Sequence, residues 1–119
     1  MSQRIPADSS WRYAAASGGI VDTTPVVIKA AVADKRNYLK SLQLANSDAT
    51  VGTEVTITTA STVIFRTYLP AGRPASLTGV PAYGLVFDPP LRGGVNEAIS
   101  VTAVTTSAEL YANAQGYTQ

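Results

Sequence analysis

The sequence predicts an all-β protein, and three observations carry that prediction. Apolar and polar residues alternate with period two, as in residues 25–33, where Val26, Ile28, Ala30 and Val32 fall on one face and Val27, Lys29 and Ala31 on the other. Apolar spacing at i, i+3, i+4 and i+7, the mark of an amphipathic helix, is nowhere sustained. Seven prolines and nine glycines punctuate the 119 residues, which suits short strands joined by turns.

Taken in order, a short strand is expected at residues 11–15, WRYAA, and the half-buried strand just described follows at 25–33. Residues 36–46, RNYLKSLQLAN, set Leu42 and Leu44 against Ser41 and Gln43, and the Asp34-Lys35 step between these two runs makes a hairpin the expected pairing. Asn46-Ser47-Asp48 and Gly52 then supply turn chemistry. In 53–58, TEVTIT, Val55 and Ile57 alternate with threonines; in 62–69, TVIFRTYL, Val63, Phe65 and Leu69 share a face with Thr67. Both runs are rich in the β-branched and aromatic side chains that fit a pleated surface. Strands at 83–87, 96–104 and 108–113 complete a set of about eight. Residues 70–82, PAGRPASLTGVPA, hold three prolines and two glycines without a period and read as a long loop.

Eight short strands in a 12.4 kDa chain mean one domain, a sandwich or a barrel, both of which solve the problem of covering sheet faces and edges. The expected division is an N-terminal arm at 1–10 and a β domain at 11–119. The arm, MSQRIPADSS, has no apolar run of the kind an export signal needs, and no stretch approaches the length of a membrane span. The expectation is therefore a product made in the cytoplasm, with no membrane partner.

Composition narrows the chemistry. There is no histidine, so the side chain that titrates near neutral pH is missing, and no cysteine, so thiolate nucleophiles and Cys/His zinc sites are excluded. Neither a glycine-rich phosphate loop nor a nucleophile elbow is present, and Asp8, Asp22, Asp34, Asp48 and Asp88 lie too far apart in sequence for a calcium loop. The reading is a non-enzymatic module without cofactor or metal. Net charge is +1, with six of the nine basic residues in the first forty positions; so mild an asymmetry predicts no specific nucleic-acid partner. Trp11 and the six tyrosines are the aromatic surface on which a sugar or a partner could rest.

Several stretches together resemble small proteins from the structural gene sets of tailed bacteriophages. They are Trp11-Arg12-Tyr13-Ala14-Ala15 with Ser17-Gly18-Gly19-Ile20, Lys35-Arg36-Asn37-Tyr38-Leu39, and Asn46-Ser47 before Gly52-Thr53-Glu54. Phe87-Asp88-Pro89-Pro90-Leu91-Arg92-Gly93 with Asn96, and Tyr111-Ala112-Asn113-Ala114-Gln115-Gly116-Tyr117, complete the set. The resemblance spans nearly the whole chain. It implies a capsid decoration, or cement, protein: a β-sandwich of jelly-roll type that assembles, typically as a homotrimer, on the outer face of the phage head, with the major capsid protein as partner and the virion as its location. On that reading Arg4, Trp11, Arg12, Arg73, Tyr83 and Arg92 are the expected capsid or subunit contacts. The alternative is a carbohydrate- or receptor-binding sandwich of a head fibre or tail tip, in which the tyrosines, Tyr83 among them, do the recognition.

Overall fold

A computed structural model of the chain describes residues 9–72 and 82–119. It contains eight strands: β1 (Ser10–Tyr13), β2 (Val26–Lys29), β3 (Arg36–Asn46), β4 (Thr53–Thr59), β5 (Thr62–Leu69), β6 (Tyr83–Val95), β7 (Ile99–Ala103) and β8 (Leu110–Thr118). The first strand pairs with the last, the second with the seventh, the third with the sixth and the fourth with the fifth, all antiparallel. Ladders β3–β8 and β4–β7 then join these pairs into two sheets, ordered β1-β8-β3-β6 and β2-β7-β4-β5. This is the strand order of a jelly roll, an antiparallel ribbon wound so that two four-stranded sheets face one another. The chain is a single-domain β-sandwich.

The four inner strands build the core. Leu39, Leu42 and Leu44 of β3, Val55 and Ile57 of β4, Ile99 and Val101 of β7, and Leu110, Ala112 and Ala114 of β8 are all essentially inaccessible to solvent. Alternation is cleanest in β8, whose buried positions interleave with Tyr111, Asn113, Gln115 and Tyr117 on the outer side. The edges are closed by larger residues. Phe65 of β5 and Phe87 of β6 meet edge to face at 5.0 Å, and Trp11 and Tyr13 of β1 pack against the core at the other edge of the first sheet.

Three expectations are corrected. Residues 25–33 and 36–46 do not form a hairpin: β2 pairs with β7, and β3, in the opposite sheet, lies between β6 and β8. Val63 does not share a face with Phe65. The register slips between Ile57 and Thr58, so Val63 stands opposite Thr58 and is 40% exposed, while Phe65 stands opposite core Ile57. The strand expected at 83–87 runs on to Val95, through Pro89, Pro90 and two glycines. Prolines are tolerated there because β6 is an edge strand, and because the β3–β6 register jumps from Leu39↔Leu91 to Ser41↔Val86, leaving 87–90 without ladder partners. The turn expected near Asn46 does form, and the long loop expected at 70–82 lies mostly outside the described residues.

Two buried asparagines bracket β3. At its start Asn37 donates to Ala30 O (2.9 Å) and Glu97 O (3.4 Å) and accepts from the Thr118 hydroxyl (2.6 Å). At its end Asn46 ties three connections together. Beside it, the Asp48 carboxylate accepts from the backbone N–H groups of Thr50 (2.9 Å) and Val51 (2.6 Å) and from the Thr50 hydroxyl (3.2 Å). Donation by the Thr50 and Val51 amides holds the Asp48 carboxyl below its ordinary value. A group whose folded-state pKa is depressed adds stability that is present above its unfolded pKa and is lost as pH falls through the folded one. Asp48→Asn is therefore expected to flatten the acid side of the stability profile below about pH 4; chemical denaturation of both proteins at several pH values checks this.

Candidate functional site

The outer side of the β1-β8-β3-β6 sheet gathers polar side chains from all four of its strands. Register places its rows. Arg12 of β1 lies beside Gln115 of β8, which lies beside Ser41 of β3, which lies beside Val86 of β6. One row on, Asn113 faces Gln43, and Gln43 faces Gly84. In the other direction Tyr117 faces Tyr38, and Tyr38 faces Arg92. The rings of Tyr38 and Tyr117 stack at 4.8 Å with 10° between their planes. Between these rows β3 bulges at Lys40, which is exposed.

The irregularity matters for the surface. With one extra residue at the bulge, Leu39 and Leu42 both reach the core, and Lys40 and Ser41 together occupy the interval between them. Two adjoining recesses result. One, of about 580 Å³, is lined by Arg12, Ser41, Gln43, Gly84, Asn113 and Gln115 among others; the second, of about 370 Å³, is lined by Ser10, Trp11, Arg12, Lys40, Gln115 and Gly116. Arg12 and Gln115 belong to both. Among the described residues no carboxylate lines either recess, and the Arg12 guanidinium and the Lys40 ammonium have no hydrogen-bond or ion-pair partner. The Asn113 amide is oriented by its Oδ1, which accepts from the Ala15 N–H at 3.0 Å and leaves the NH₂ to point its donors elsewhere.

The second sheet presents a different surface. Thr56, Thr58, Ser100 and Thr102 occupy its outer side, with the exposed pair Arg66–Glu54 at 3.2 Å, the one ion pair among the described residues. Among the described residues no three Asp or Glu side chains come together to hold a metal ion.

The six expected contact residues separate. Arg12 and Arg92 lie on the outer face of the first sheet, at its opposite edges. Trp11, one residue from Arg12, turns the other way: its ring lies over Gly116 and packs on the core, and its Nε1 is buried with no partner among the described residues. Tyr83 stands opposite Leu44, a core position, so it belongs to the inward side of the sheet at its margin and is 43% exposed. Arg4 and Arg73 lie outside the described residues. Lys40, Ser41, Gln43, Asn113 and Gln115 were not among the expected contacts. The signal for three of them was present in the alternation of Gln43 with leucines and of Asn113 and Gln115 with small residues. Lys40 is placed by a bulge that no local pattern announces.

In comparisons with protein-family models, with curated proteins and with solved structures, nothing matches this chain.

Proposed function

We propose that this protein is a non-enzymatic virion structural component that binds the outer face of a tailed-phage capsid and stabilises the expanded shell by bridging major capsid subunits. The observation that carries the reading is the jelly-roll sandwich itself, an architecture used by viral capsid and lectin domains. The sequence resemblance to phage structural proteins points the same way. The face of the first sheet adds a surface suited to adhesion, where the Arg12 and Lys40 cations have no partner among the described residues and the amides of Gln43, Asn113 and Gln115 line the recesses beside them.

Energetically, such a protein works by linkage. A ligand at free concentration L that binds only the assembled, expanded lattice stabilises that lattice by RT ln(1 + L/Kd) per site, and repeated copies on one shell convert weak contacts into avid ones. Closure of three copies into a ring, the homotrimer proposed here, also removes sheet edges that would otherwise template aggregation. The edge strand β5, eight residues without proline, is such an edge. Co-sedimentation with shells purified without the protein tests the reading: saturable binding to expanded shells and none to unexpanded ones is expected, and no binding to either contradicts it.

A further inference from the structure

The two recesses on the first sheet carry a chemistry more specific than adhesion. We propose that the outer face of the β1-β8-β3-β6 sheet is a binding site for a short carboxylated oligosaccharide lying along β8. This inference stands on the site's own geometry and does not depend on attachment to a shell.

Length and shape come first. β8 presents Tyr111, Asn113, Gln115 and Tyr117 in a line on one side, a span of about 20 Å at the rise of an extended strand, with two amides between two aromatic rings. The recesses flanking the middle of that line, about 580 and 370 Å³, fall within the range of small-molecule sites and adjoin at Arg12 and Gln115. An elongated ligand of several rings fits this outline.

Polarity then selects its class. The amides of Gln43, Asn113 and Gln115 and the hydroxyl of Ser41 each donate and accept, which is what a sugar hydroxyl, itself donor and acceptor, requires. Arg12 and Lys40 are cationic side chains that only donate, and with no carboxylate among the described residues that line either recess they call for an anion on the ligand. Hydroxyl-matching groups and two cations in adjoining recesses together describe a sugar acid. Nucleic acid is the poorer fit. Tyr38 and Tyr117 stack on each other, leaving neither ring with both faces free for bases, and two cations are few for a chain with a phosphate at every residue.

The test uses the folded protein labelled with ¹⁵N and three probes: tetragalacturonate, its methyl ester and an oligothymidylate of similar length. Tetragalacturonate is expected to produce saturable shifts at the amides of Arg12, Ser41, Gln43, Asn113 and Gln115 in about the millimolar range usual for a shallow exposed site. Arg12→Gln combined with Lys40→Gln, both at exposed positions, is expected to weaken that binding about tenfold while leaving the rest of the spectrum unchanged, and the methyl ester to bind as weakly to the unaltered protein. Gln43→Ala is expected to weaken the acid and the ester alike. Absence of saturable shifts, equal binding of acid and ester, shifts confined to other surfaces, or tighter binding of the oligothymidylate overturns the proposal.

Discussion

Replacing Asn46 with alanine is expected to lower the stability of the fold by about 3 kcal/mol, a change visible as a fall of roughly 10 °C in Tm. The side chain is 1% exposed and fully engaged. Its Nδ2 donates to Val51 O (2.8 Å) and Pro70 O (3.2 Å), and its Oδ1 accepts from the backbone N–H groups of Asp48 and Glu109, both at 3.1 Å. One amide thus joins the β3–β4 connection, the chain leaving β5 and the chain entering β8. Alanine leaves two donors and two acceptors without their partner in a place that water reaches poorly, and this desolvation cost exceeds the modest net worth of each bond made. Asn46→Asp keeps the acceptor but sets a carboxylate against two carbonyl oxygens, so it is expected to be no better. Gln43→Ala, at an exposed position of the same strand, is expected to change stability by less than about 0.5 kcal/mol. Thermal or denaturant unfolding of the three variants checks the ranking, and a loss below about 1 kcal/mol for Asn46→Ala contradicts the assigned role.

The second large effect is expected at Gly116. A Cβ there would sit 1.9 Å from the Tyr38 carbonyl oxygen and 2.5 Å from Cζ2 of Trp11. The tryptophan can swing away, but the carbonyl belongs to the neighbouring strand of the β3–β8 ladder and cannot move without opening it. Gly116→Ala is therefore expected to cost about 3 kcal/mol, at the upper end of what forcing an extra carbon into a packed site usually costs. Because Trp11 is the sole tryptophan, its emission reports the displacement directly and is expected to shift to the red. Adding Trp11→Ala removes only one of the two clashes, so the double variant is expected to recover little. Native emission and native stability in Gly116→Ala would show that the strands are not packed this closely.

What was legible in the sequence was whatever local periodicity encodes. Leu42 and Leu44 against Gln43, or Leu110 and Ala112 against Tyr111 and Asn113, announce both a strand and its buried face. Pairing was not legible, because it is set by which apolar faces meet across the whole chain. The Asp34-Lys35 step looks like a hairpin turn, yet Asp34 sits at a positive φ of 61° in a connection that crosses from one sheet to the other. Interruptions of the ladder were equally silent. The slip at Ile57/Thr58 moved Val63 to the outside, and the jump in the β3–β6 register both hid the second half of β6 behind two prolines and brought Lys40 to the outer face. The candidate site was half visible for the same reason. Arg12 and Arg92 were among the expected contacts, but only the register shows that Arg12 shares a row with Gln115 and Ser41, and that Trp11 and Tyr83 face the other way.

The proposed adhesive role is tested most directly by heating phage particles assembled with and without this protein and following release of their DNA. Particles that carry it are expected to hold their DNA to a temperature several degrees higher, and adding the purified protein to bare expanded shells is expected to restore that margin. Equal release temperatures, with the protein absent from the shell surface, would contradict the account.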